Sequence, residues 1–254
     1  MEFLSQVVNI AVKYRELLLR GVGYTLLIAL TGTLAGLLIG LLTGVIRTAP
    51  FSKSPVLRVL HKILNAIIGV YIEVFRGTPM MVQSMVIFWG YAFLNGGNTL
   101  PLIPAGIFIV SINTGAYMAE IVRGGIISVE RGQMEGACSV GMTHMQAMIH
   151  VILPQAMRNI LPSVSNEFVI NIKDTSVLNV IGVMELYYMA GVINRINLQI
   201  FQTYAVVCVL YFVLTFTVTR LLRLAEKKLE GAGNYTICGS QSDPEAEIHV
   251  RKEA

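Results

Sequence analysis

Charge is what this sequence has least of. Asp, Glu, Lys and Arg make up 13% of its 254 residues, while 54% are hydrophobic; an ordinary soluble domain is about 25% charged. That balance excludes a water-soluble enzyme of the usual build. Cysteines are scarce too. The 3 present, Cys138, Cys208 and Cys238, are odd in number and unclustered, which suggests neither a disulfide framework nor a metal site. Of the 4 histidines, His61 and His249 lie in or near basic connections. His144 and His150 lack the i, i+4 spacing and the glutamate of a zinc-protease helix. No Gly-Lys pair occurs anywhere, so the chain cannot build the usual phosphate-cradling loop G-x-x-x-x-G-K-[ST]. If ATP drives this protein, ATP and Mg are bound on another subunit and no cofactor on this one. No nucleophile and base stand out as a pair, and no interleaving of basic and aromatic residues suggests nucleic acid as a partner.

What is present is a series of long apolar segments, and each span of a bilayer takes about 20 residues. Val22 to Ile46 is long enough to cross, and its glycines Gly32, Gly36, Gly40 and Gly44 recur every four residues on one face, a spacing suited to close helix contact. Arg47, Lys53, Arg58 and Lys62 make the next connection basic, hence cytoplasmic, which puts the N-terminus outside. From there Ile63 to Leu94 crosses outward, Pro101 to Val122 inward, Asn159 to Ala190 outward and Gln199 to Thr219 inward. The basic run Arg220 to Lys228 is then inside, as its charge independently demands. The second span contains Arg76-Gly77-Thr78-Pro79, where proline removes a backbone donor and disfavours helix in the residue before it, so a broken helix is expected. The fourth contains Lys173 to Ser176 and then Gly182, and is expected to be interrupted as well. Interrupted backbone at membrane depth survives only where protein or a wet cavity covers it.

The ends are different in kind. In residues 1–20, Phe3, Leu4, Val7, Val8, Ile10, Ala11, Tyr14, Leu17 and Leu18 trace one helix face. They read as an interfacial helix lying on the membrane, or else as the start of the first span. Residues 21–229 form the transmembrane domain. Residues 230–254 are polar and mixed in charge without periodicity, and are expected to be a disordered cytoplasmic tail.

Within the spans, Ser163, Glu167, Asn171 and Asp174 make one polar stripe, and Asn113, Tyr117 and Glu120 a shorter one. Charges at membrane depth rarely face lipid. Asn113, Asn166, Glu167 and Asn171 therefore either line a wet path for a substrate or serve the structure, satisfying the broken backbone or pairing with Arg76, Arg123 and Lys173.

The connection 123–158 has the most informative pattern. Glu130 to Val140 can form a short helix that Gly141 ends in a left-handed conformation. Thr143 and Gln146 have the form of a capping box, after which Met145, Met148, Ile149 and Ile152 share a helical face. Pro154 closes that helix or opens the next. Glu135-Gly136-Ala137, then Gly141, then Val151-Ile152-Leu153-Pro154 resembles the "EAA" loop of ABC importer permeases, with Gly136 in place of an alanine and Val151 in place of an isoleucine.

Further motifs resemble the polar-amino-acid branch of that family: Glu73 to Pro79 with Gln83, Tyr117 to Gly124, Leu153 to Arg158, and Lys173 to Ser176 with Ile181 to Val183. The resemblance runs from about Gly21 to about Leu229 and implies an all-α membrane protein with a type I ABC importer transmembrane fold. About five transmembrane helices would surround an alternating-access path in the bacterial plasma membrane. It implies as partners two ATPase subunits, an extracellular or periplasmic amino-acid-binding protein and a polar amino acid as substrate. Spans from one chain enclose little space, so a second permease copy or homologue is expected across a two-fold axis. Glu135, Ala137, Gly141, Met145, Met148 and Pro154 would couple the spans to the ATPase. The rival reading is a passive channel or structural pore subunit, which has no need of such a loop; an intramembrane enzyme is more distant.

Overall fold

The computed structural model describes residues 2–49, 54–230, 235–238 and 247–250. The first half of the chain is helix α1 (Glu2–Lys13), α2 (Arg15–Thr48), α3 (Pro55–Gly77), α4 (Met80–Leu94) and α5 (Leu102–Ile127). The second half is α6 (Arg131–Ser139), α7 (His144–Ala147), α8 (Leu153–Asp174), α9 (Leu186–Asn197) and α10 (Ile200–Glu230). Among the described residues 4 helices are long and apolar enough to cross a membrane, or 5 spans if the bent stretch from His144 to Asn197 counts as one.

Helix α5 is the hub, with α2 along its length and α3 and α8 on other sides. In its most apolar stretch 61% of the residues are buried, against 11% for α3 and for α10, whose apolar flanks are bare. The glycine face of α2 explains the α2–α5 contact. Gly32, Gly36, Gly40 and Gly44 sit against Val110, Thr114, Met118 and Val122, a spacing of four matched by a spacing of four. A Cβ at Gly36 would lie 2.8 Å from the Thr114 side chain, and one at Gly44 would lie 2.7 Å from Val122. Small residues recurring at that spacing let two backbones approach in lipid, where no hydrophobic effect draws helices together.

Both expected interruptions are present. The first falls at Thr78–Pro79, between α3 and α4. Its consequence differs from the expectation of one broken span over 63–94. Helix α3 starts earlier, at Pro55, and its 23 residues reach about 34 Å at 1.5 Å per residue, enough to cross alone. Helix α4 instead packs Phe88 against Ile28, Ile109, Leu178 and Ile181. At the second interruption α8 tightens into a 3-10 turn at Thr175–Ile181, Gly182 turns left-handed at φ 90, and the chain bends by 54° before α9.

One boundary differs from the expectation. The N-terminal helix does not extend over 1–20: it ends at Lys13, and Arg15 to Arg20 already belong to α2. Nor is α1 free on the membrane. Ile10 is buried in a cluster with Leu186, Ala190, Ile193 and Val206, and Gln202 donates to Gln6 at 2.8 Å. Much of the tail 230–254 lies outside the described residues. Within it Tyr235–Cys238 and Glu247–Val250 pair as antiparallel strands.

Candidate coupling loop and membrane path

The connection between α5 and α8 is built by local chemistry. Helix α6 ends in a Schellman arrangement: Gly141 N–H donates to Cys138 O at 3.0 Å and Met142 N–H to Ala137 O at 3.2 Å. Gly141 has φ 91, a conformation glycine adopts without Cβ strain. Two residues on, Thr143 Oγ1 accepts from Gln146 N–H at 3.3 Å and Thr143 N–H donates to Gln146 Oε1 at 2.9 Å, which completes the capping box. Pro154 stands at the join with α8, where its missing N–H takes one rung out of the helical ladder. Between α7 and α8 the helix never stops; it widens to a π turn at Met148–Ile152.

The methionine face is split between the body and the outer surface. Met145 and Ile149 are 59% and 49% exposed, but Met148 is buried with Ile152, Ala156, Val122 and Ile126. Periodicity placed Met148 on the outward face; in the structure it ties the loop to α5. The outward apolar surface is Val140, Met142, Met145 and Ile149, with Glu135 exposed on α6. Ala137 and Ala147 are buried, small enough to seat both short helices on the body. Gln155 donates to Gln133 at 3.3 Å and Asn159 to Ser128 at 3.0 Å, fastening the loop at its two ends.

The polar residues of the spans do not converge on one place. Pro79 leaves the carbonyl of Phe75 without a helical donor, and Gln83 Nε2 donates to it at 2.9 Å and to Thr78 O at 2.9 Å. Asn113 in turn donates to Gln83 Oε1 at 2.9 Å. Asn113 and Gln83 thus satisfy the broken backbone, and leaving such a buried carbonyl unpaired costs about 1–3 kcal/mol. Asn171 is tied to Thr33 at 2.8 Å and to Thr114 at 3.0 Å, joining α8, α2 and α5. Glu120 pairs with Arg47 and, at 2.8 Å, with Arg123, while Arg76 lies 5.5 Å from the ring centre of Tyr117. Asn166 is exposed toward α10. Lys173 and Asp174 are exposed and in no ion pair among the described residues.

Glu167 is the exception. It is 9% exposed and has no hydrogen-bond or ion-pair partner among the described residues. A residue that sequence reasoning missed is Glu185, fully buried at the start of α9. Its carboxylate accepts from Tyr187 N–H and Tyr188 N–H, each at 2.7 Å, and from Tyr211 Oη at 2.9 Å. Negative charge at a helix N-terminus is favoured by the orphan amides there. The available signal was a carboxylate just after Ile181-Gly182-Val183 and before an apolar run.

The family model described as "Binding-protein-dependent transport system inner membrane component" matches residues 36–231, which contain both the loop and these spans. The chain belongs to this permease family. Over 160 residues, 63% of this chain and 73% of the relative, the permease is 38% identical to the probable glutamine ABC transporter permease protein GlnM of Bacillus subtilis. It is 38% identical over 168 residues to that organism's L-cystine transport system permease protein TcyB, covering 66% and 71%. With the glutamine transport system permease protein GlnP of Escherichia coli it shares 35% over 168 residues, covering 66% and 77%. Among solved structures, the permease matches a chain of an amino acid ABC transporter with histidines at a TM-score of 0.74 and 36% identity, covering 90% of this chain and 99% of that one. A chain of the inward-facing MetNI methionine ABC transporter matches at 0.71 over 85% and 98%; at 19% identity it supports the type I fold alone.

Proposed function

We propose that this permease is the membrane-spanning subunit of an ATP-driven importer that carries a polar amino acid inward by alternating access. Family membership carries the transport reading, and the α6–α7 loop carries the coupling. Its exposed Val140, Met142, Met145 and Ile149 form a rigid apolar knob that a motor subunit can grip. Helix α8 runs from that knob past Glu167 to the bend at Thr175–Ile181, so a displacement of the loop is delivered to membrane depth along one element. ATP hydrolysis falls to separate subunits. Two of these, with ATP and Mg, a second permease copy or homologue and an external binding protein would complete the machine.

The amino acid is polar by relation to permeases named for glutamine and cystine. In this chain the reading is supported by Glu167, since burying a carboxylate without a partner is costly unless something else supplies the counter-charge. Glu167→Gln keeps the volume and removes the charge. In proteoliposomes holding the whole complex, it is expected to cut or re-rank uptake across a panel of labelled amino acids, with assembly intact. Uptake of every one at the wild-type rate would remove Glu167 from the path.

The orientation is N-terminus outside and C-terminus cytoplasmic, supported by the basic flanks at Arg47 to Lys62 and Arg220 to Lys228. A cysteine at the exposed Asn98 is expected to react with an impermeant thiol reagent in intact cells, and one at the exposed Glu135 only after lysis. The opposite pattern would invert the topology.

A further inference from the structure

On the flank between α8 and α10 lies a cleft whose lining includes Asn166 but not Glu167. It holds about 230 Å³, with Pro162, Ser165 and Asn166 on one wall and Thr219, Arg223 and Glu226 on the other. Arg223 and Glu226 stand one turn apart, yet no ion pair joins them, and neither has a polar partner among the described residues. Helix α10 is apolar as far as Val218, and Arg220 begins its basic end, so the cleft sits where the helix leaves the hydrocarbon for the headgroup layer. Next to it toward the membrane centre, Phe212, Val213 and Phe216 are each at least 50% exposed.

A ligand complementary to this place needs an anion for Arg223, a hydrogen-bonding cation for Glu226 and apolar chains for the bare face of α10. We propose that the cleft binds the headgroup of a zwitterionic phospholipid with a primary ammonium, its phosphate on Arg223, its ammonium on Glu226 and its chains along Phe212 and Phe216. Ser165 and Asn166 offer donors to the phosphate and ester oxygens, whereas the Thr219 hydroxyl is already donated to Thr215 O at 2.6 Å. A free amino acid has both charges but no chains. An anionic lipid sets nothing positive against Glu226, and a quaternary ammonium cannot donate to its carboxylate.

The test is native mass spectrometry of the intact permease–ATPase complex, exchanged into micelles with equal amounts of phosphatidylethanolamine, phosphatidylglycerol and phosphatidylcholine. The wild type is expected to retain phosphatidylethanolamine over each of the others by about tenfold, a ratio within reach of one charge-assisted hydrogen bond. E226Q should bring it down to the phosphatidylcholine level, E226K should shift the preference to phosphatidylglycerol, and R223Q should release all of them. Equal retention of the three by the wild type overturns the proposal. So does displacement of the bound lipid by an excess of free amino acids, which would make this an amino-acid site, and so does the absence of retained lipid, which would mean that another subunit covers the cleft. If E226Q does not assemble, the wild-type ratio decides alone.

Discussion

Leucine at Gly40 is expected to unseat α2 from α5 and leave little folded permease. A Cβ at this position runs into the Met118 side chain and into backbone at Met118 and Ala119, and backbone in a packed helix cannot step aside as a side chain end can. The cost should exceed the roughly 1–3 kcal/mol usual for overpacking, a fall of roughly 10 °C in Tm for a chain of this size. Gly23→Leu is the control, because it lies on the same helix with nothing within 4 Å of its added Cβ. Thermal melting of both variants in detergent, followed by size exclusion, reads the difference. Equal melting would mean that the glycine face is not a tight seam.

The second large effect belongs to Gly141 and leaves stability nearly untouched. Valine there meets no neighbour, since nothing lies within 4 Å of the added Cβ. It must instead hold a branched side chain at φ 91, and the left-handed region costs roughly 1–2 kcal/mol for an L-residue. The loop can escape by rotating α7 away from α6, which opens the Schellman bonds and carries Met145 and Ile149 off their line. Gly141→Val is therefore expected to abolish uptake and to leave ATP hydrolysis unresponsive to the binding protein, in a complex that still assembles. Gly141→Asn should keep most of both activities, because asparagine tolerates the left-handed region. Coupled transport at the wild-type rate by the valine variant would show that no hinge resides at this glycine.

What was legible in the sequence is what local chemistry decides. Pro79 and Gly182 announce their interruptions because each alters its own backbone. Thr143 and Gln146 announce a helix start because the pair closes on itself three residues apart. The glycines of α2 mark a contact face by spacing alone. What stayed illegible depends on partners distant in the chain. For Asn113 and Asn171 the sequence left path and structural roles open, and the partners Gln83 and Thr33 lie far off in the chain; no periodicity within one helix reports what stands opposite. Met148 was placed outward by its period with Met145 and Ile149, but the residues that bury it at the head of the π turn Met148–Ile152, Val122 and Ile126, stand on α5, distant in the chain. Glu185 gave no sign of full burial, since the tyrosine that shares it is on another helix.

That π turn has a mechanical consequence. From the cap at Thr143 to the last turn at Asp174 the chain is helical without a break, so the motor-facing knob and the span behave as the two ends of a keyed shaft. An inserted or deleted residue in ordinary loop is absorbed as slack. In this shaft each residue turns one end against the other by about 100°, and the key would no longer meet its socket. The length from Gly141 to Pro154 is therefore as much a part of the coupling as the identity of any side chain along it.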